Sequence, residues 1–190
     1  MTAKVKEIDE LRDSVRRERE GLISIVENLV KKTFDHQYGN GRVGIKVFGS
    51  MATDLAIETS DVDIVVTGII AQKQTNQKDH CLKMIKILNT ELKSLYDKDD
   101  IVEDLKLIST AKVPIIKLVA DLQGVSNQQD FKIFQTKLDD VRKEKLERGL
   151  PFDKKQYNFG SFGIQGKIIQ DKMRYLKVDI SIGENQHDYQ

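Results

Sequence analysis

The sequence predicts an α+β domain, a mixed β-sheet carrying helices on one face and preceded by a long N-terminal helix. Two observations predict this. Two long segments, 4–35 and 76–97, repeat apolar residues with a helical period. Between and after them lie short Val- and Ile-rich runs, giving the order helix, strand, short helix, strand, long helix, then several strands.

In the first segment the apolar positions are Val5, Ile8, Leu11, Val15, Leu22, Ile25, Val26, Leu29 and Val30. Gly21 interrupts it at a cost of about 1 kcal/mol relative to Ala, so the segment forms either one helix or two with a break there. The stripe runs longer than a small sheet can cover, so part of it is expected to lie exposed. Asp35 to Arg42 carries turn residues. Val43, Ile45 and Val47 alternate as a short strand, and Ser50 is a plausible N-cap for a short helix over 50–56. Asp61 to Thr67 predicts a second strand. The helix over 76–97 presents Cys81, Leu82, Ile85, Leu88, Leu92 and Leu95 on its apolar face. Strands follow at 104–110 and 113–120, with Pro114 at a strand start. Residues 126–149 predict a solvated helix with little buried face, ended by Gly149 and Pro151. Residues 152–173 have no clear period, and Tyr175 to Ile182 predicts the last strand.

Composition narrows the function classes. Thirty-one basic against thirty acidic residues leave a net charge of +1, which excludes bulk-charge binding of nucleic acid. A single cysteine, Cys81, excludes a disulfide framework and a Cys-rich zinc site and suggests a reducing, intracellular compartment. His36, His80 and His187 are too scattered for a metal cluster. No apolar run reaches the ~20 residues of a membrane span, and no membrane partner is expected.

The chemistry concentrates in Phe48-Gly49-Ser50 and, beyond it, Ser60-Asp61-Val62-Asp63. Gly49 lets a ligand approach the backbone, and a Ser50 cap sits where helix N–H groups attract anions. Asp61 and Asp63 on a strand share one face at about 7 Å, with Val62 turned away. Paired hard-oxygen ligands suit Mg²⁺, which takes one or two carboxylates plus substrate phosphates. Alone, a Gly-Ser marks a turn and an Asp-x-Asp marks a solvated strand end. Their joint spacing between two strands is what carries weight.

These residues resemble the signature of the DNA polymerase beta-like nucleotidyltransferase superfamily. The similarity is closest to TRAMP-type nuclear poly(A) polymerases and terminal uridylyltransferases. Phe48-Gly49-Ser50, Thr53-Asp54-Leu55 and Ser60-Asp61-Val62-Asp63 match that family's first motif. Ala111 to Lys117 matches its Val-Pro-Ile-Ile-Lys strand, and Val178-Asp179-Ile180-Ser181 matches the strand of its third carboxylate. The resemblance implies a catalytic palm in which Asp61, Asp63 and Asp179 hold two Mg²⁺ (or Mn²⁺) ions. It implies that Gly49 and Ser50 bind the phosphates of ATP or another nucleoside triphosphate. The implied reaction adds AMP or UMP to an RNA 3′ end without a template. The implied localisation is nuclear, with a cytoplasmic one possible.

Two departures from the family pattern stand out. Residues 121–173 replace a short turn between the last two family strands, and they hold many lysines and arginines alongside acids. The family's central helical domain, which follows the third-carboxylate strand, has no counterpart before Gln190. Either the chain is a fragment or truncated product and incomplete as it stands, or a partner protein supplies that domain, or catalysis is lost. A non-catalytic palm remnant that binds RNA or protein and a minimal small-substrate nucleotidyltransferase therefore stand as alternatives. A second Phe-Gly-Ser, at Phe159-Gly160-Ser161, lacks an Asp-x-Asp behind it and reads as a loop coincidence.

Overall fold

A computed structural model describes residues 13, 15–49, 61–70, 77–98 and 100–184. The elements are α1 (Arg16–Tyr38), β1 (Gly44–Phe48), β2 (Val62–Ile70), α2 (Gln77–Lys98), β3 (Val102–Ile108), β4 (Ile115–Asp121), α3 (Leu122–Glu147), α4 (Asp171–Arg174) and β5 (Tyr175–Glu184). The strands form one sheet in the order β1-β2-β5-β4-β3. β2 and β5 are parallel and the other pairs antiparallel, so the sheet is mixed and the fold α+β, as the sequence predicts.

One face of the sheet is the core. Val62, Ile64 and Val66 of β2, Val178, Ile180 and Ile182 of β5, and Ile116 and Leu118 of β4 are buried. They point alternately to one side because successive strand side chains alternate faces. α1 and α2 cover that side with Leu22, Val26, Val30 and Phe34, and with Met84, Ile85, Leu88 and Leu92. The two helices are also joined by Tyr38, whose hydroxyl lies 3.0 Å from His80 Nε2 and donates to Met84 Sδ at 3.1 Å. His80 is thus part of a helix–helix joint, and burial pushes the Tyr38 hydroxyl pKa up.

Of the two possibilities at Gly21, α1 takes the unbroken one, and the missing Cβ is a contact. A Cβ there would collide with the Gln129 side chain of α3 and meet Val125 Cγ1 at 3.3 Å. The described part of the α1 stripe is covered, since α3 packs along it; Val5, Ile8 and Leu11 lie outside the described residues. α3 begins at Leu122, directly from β4, and buries Leu122, Val125, Ser126, Asp130, Phe134 and Leu138. It is packed along one side as far as Leu138, and beyond that it is solvated, as the sequence predicts for its charged second half. The start is fixed by Asp121, whose side chain accepts the Gln123 N–H at 2.9 Å as an N-cap.

The return segment 150–170 is pinned to α1 and α3. Gln123 donates to the Lys167 carbonyl at 2.8 Å and accepts the Ile169 N–H at 2.9 Å. Lys167 reaches the wholly buried Glu18 of α1 at 3.1 Å, and Arg17 pairs with Asp130 at 3.0 Å. Phe152, Tyr157 and Phe162 stack in a row, with centroids 5.8 and 5.7 Å apart and planes within 14°. Phe162 and Phe159 close on Phe134 of α3. Ser161 of the second Phe-Gly-Ser bonds Asn158 in a surface turn, remote in sequence and register from the carboxylate strands.

Candidate active site

The register places the predicted carboxylates. Asp63 of β2 is the parallel partner of Asp179 of β5, so the two side chains leave neighbouring strands on the same face. That face is opposite to the buried Val62, Val178 and Ile180. Asp61, exposed, precedes Asp63 by two residues and shares its side. No helix lies between these groups and solvent among the described residues.

β1 ends against this pair. Phe48 is the antiparallel partner of Asp63, and the chain turns at Gly49 with φ +76°. A Cβ at Gly49 would stand 2.9 Å from Asp63 Oδ2. Glycine is required twice here, for the left-handed backbone and for the approach to the carboxylate. Ser50, Thr53, Asp54, Leu55 and Ser60, with the expected short helix over 50–56, lie outside the described residues.

β4 contributes a group that motif reading quoted without a role. Lys117 is the cross-strand partner of Asp179, and its Nζ donates to Asp179 Oδ2 at 2.7 Å. This hydrogen bond and the charge of Asp179 raise the Lys117 pKa, with Asp61 and Asp63 adding to the field. The signal was present in the sequence. Lys117 is a lone cation between the buried Ile116 and Leu118, at an alternation position that must face the open side.

The donor set is all oxygen, and among the described residues the cation bonded to it is the Lys117 ammonium, on Asp179. Hard carboxylate oxygens of this kind fit a hard divalent cation such as Mg²⁺. Among the described residues no three carboxylates close into a metal-holding cluster; Asp63 and Asp179 are side by side, and Asp179 is turned onto Lys117.

A family model described as "Poly(A) RNA polymerase, mitochondrial-like, central palm domain" matches residues 2–132. The chain is 30% identical over 88 residues to Poly(A) RNA polymerase protein 2 of Saccharomyces cerevisiae, covering 46% of this chain and 13% of that protein. The structure is similar to mtPAP in complex with ATPγS, at 12% identity and a TM-score of 0.48, over 90% of this chain and 26% of that one. It is similar to the Cid1 poly(U) polymerase at 15% identity and a TM-score of 0.42, over 88% and 30%. For the polymerase core of TRAMP the values are 27% and 0.40, over 56% and 28%. The chain thus spans a minor part of each relative's length. By the match over residues 2–132, the chain belongs to the palm-domain family of mitochondrial-like poly(A) RNA polymerases.

Proposed function

We propose that the chain is a catalytic palm that transfers AMP or UMP from a nucleoside triphosphate to an RNA 3′ end. The observation that carries this reading is the register pairing of Asp63 with Asp179 on an open sheet face, with Gly49 against Asp63. Family membership supports the reaction class. Asp61, Asp63 and Asp179 would hold Mg²⁺, which when bound supplies charge neutralisation to the triphosphate and polarises the attacking hydroxyl.

The chain's own groups do the positioning. The Gly49 turn, with no Cβ, and Ser50 beside it would receive the β- and γ-phosphates. Lys117 holds Asp179 Oδ2, which fixes that carboxylate's rotamer and leaves Oδ1 to take the proton of the RNA 3′-hydroxyl. The hydroxyl oxygen then bonds to the α-phosphorus, the α–β bridging P–O bond breaks, and pyrophosphate leaves. Most of the rate would come from orientation and fixed charge. A helical domain, in the same protein or a partner, would cover the open face and read the base.

The test is incorporation of labelled ATP and UTP into an oligo(A) primer with Mg²⁺ or Mn²⁺. Asp63→Ala and Asp179→Ala are expected to abolish it while the fold persists. Near-normal incorporation by either variant would end the assignment.

A further inference from the structure

The open sheet face continues beyond the carboxylates, and its residues form a track. Along β5, Tyr175, Lys177 and Asp179 share this face by alternation, spanning roughly 13 Å at about 3.3 Å per residue. On β4, Val119 pairs with Lys177 and Lys117 with Asp179. On β3, Lys106 is directly opposite Lys117. Like charges facing each other across strands are destabilising. Lys117 is offset by Asp179, whereas Lys106 and Lys177 make no ion pair among the described residues. Asp104, opposite Val119 at the edge strand, has its Oδ1 engaged by the Leu105 N–H at 2.9 Å.

Tyr175 ends the track. It is 48% exposed, and the Arg174 guanidinium lies 5.4 Å from its ring centroid. That guanidinium is itself fixed, because Nε and Nη2 fork onto the buried Asp121 carboxylate at 2.9 and 2.6 Å. An aromatic ring held from behind by an anchored cation loses little freedom when a base stacks on it.

We propose that Lys106, Lys177 and Tyr175 form the seat of the single-stranded RNA just upstream of its reacting 3′ end. The lysines contact phosphates and Tyr175 stacks on a base. This rests on the proposed transfer reaction, since it is Asp179 that receives the 3′-hydroxyl there. The charge favours a polyanion, and the ring favours one that carries bases. These are positioning residues, not catalytic ones.

The test is fluorescence anisotropy of labelled oligo(A), as a dinucleotide and as a decamer, with the whole chain and no nucleotide. Tyr175→Ala is expected to weaken decamer binding by roughly five- to a hundred-fold. It should leave the dinucleotide and ATP affinities unchanged, and Tyr175→Trp should restore the decamer. Tyr175→Leu, which keeps apolar area without a π-face, should behave as the alanine variant. Lys106→Gln and Lys177→Gln should each reduce the salt slope of log K by about 0.7. Decamer affinity unchanged in Tyr175→Ala and Tyr175→Leu overturns the proposal. So does a wild-type chain that binds ATP but not RNA, which leaves the nucleotide site standing. Failure to bind ATP as well would strike the transfer reaction itself. Loss of self-association in Tyr175→Ala with RNA binding intact would give this surface to a second copy.

Discussion

Gly49→Ala separates a backbone effect from a site effect at one position. The backbone there has φ +76°, where an L side chain costs roughly 1–2 kcal/mol. For a chain of this length that is a fall in Tm of about 3–6 °C. The second effect is local. The new Cβ would stand 2.9 Å from Asp63 Oδ2, so the carboxylate must retreat by about 0.5 Å to an ordinary contact. A displacement of that size at a ligand is comparable to losing a supporting contact, for which about 10–100-fold in metal affinity is typical. Gly163→Ala is the control, because Gly163 has φ +67° and nothing within 4 Å of its would-be Cβ. The assay pairs thermal melting with Mn²⁺ titration by calorimetry. Both variants should lose similar stability, and Gly49→Ala alone should lose Mn²⁺ affinity. Equal Mn²⁺ affinity in the two variants would show that Gly49 does not hold the Asp63 geometry.

The remaining expectations concern Lys117 and the inserted helix. Lys117→Met releases Asp179, so Mn²⁺ should bind at least as tightly while nucleotide transfer falls; weaker Mn²⁺ binding in calorimetry would refute the view that the ammonium and the metal share Asp179. Lys167→Met leaves the buried Glu18 without its 3.1 Å partner and should cost about 1–3 kcal/mol in urea unfolding, with Glu18→Gln in the same background recovering much of it. Tyr157→Ala breaks the ring row between Phe152 and Phe162 and should speed proteolytic cleavage within 150–165, with cleavage elsewhere unchanged.

The sheet was legible because its signal is local. Val and Ile runs mark β2 and β5, the strand period places Asp61 and Asp63 on one face, and the family resemblance singles out Asp179. The packed first half of α3 was hidden because its buried side is made partly of Ser126 and Asp130, which no apolar period detects. Asp130 pairs with Arg17, 113 residues earlier in the chain. Lys117 escaped a role for the same reason. Its partner Asp179 is 62 residues away, and only the β4–β5 register brings them together.

That register also holds Asp179 in place independently of the long segment between β4 and β5. β4 and β5 pair over seven successive positions, from Ile115 with Ser181 to Asp121 with Tyr175. The segment between the two strands leaves and re-enters at the last of these pairs, where Arg174 clamps Asp121. Lengthening a connection costs little, since closure entropy grows only with the logarithm of its length. The Asp121–Arg174 clamp closes the base of the loop, so the position of Asp179 depends on the strand pairing and not on the loop's length. The segment then turns to the helix side, where α3 packs against α1. It follows that α3 stabilises the domain from the face opposite to the carboxylates, and that among the described residues the carboxylate face carries no helix.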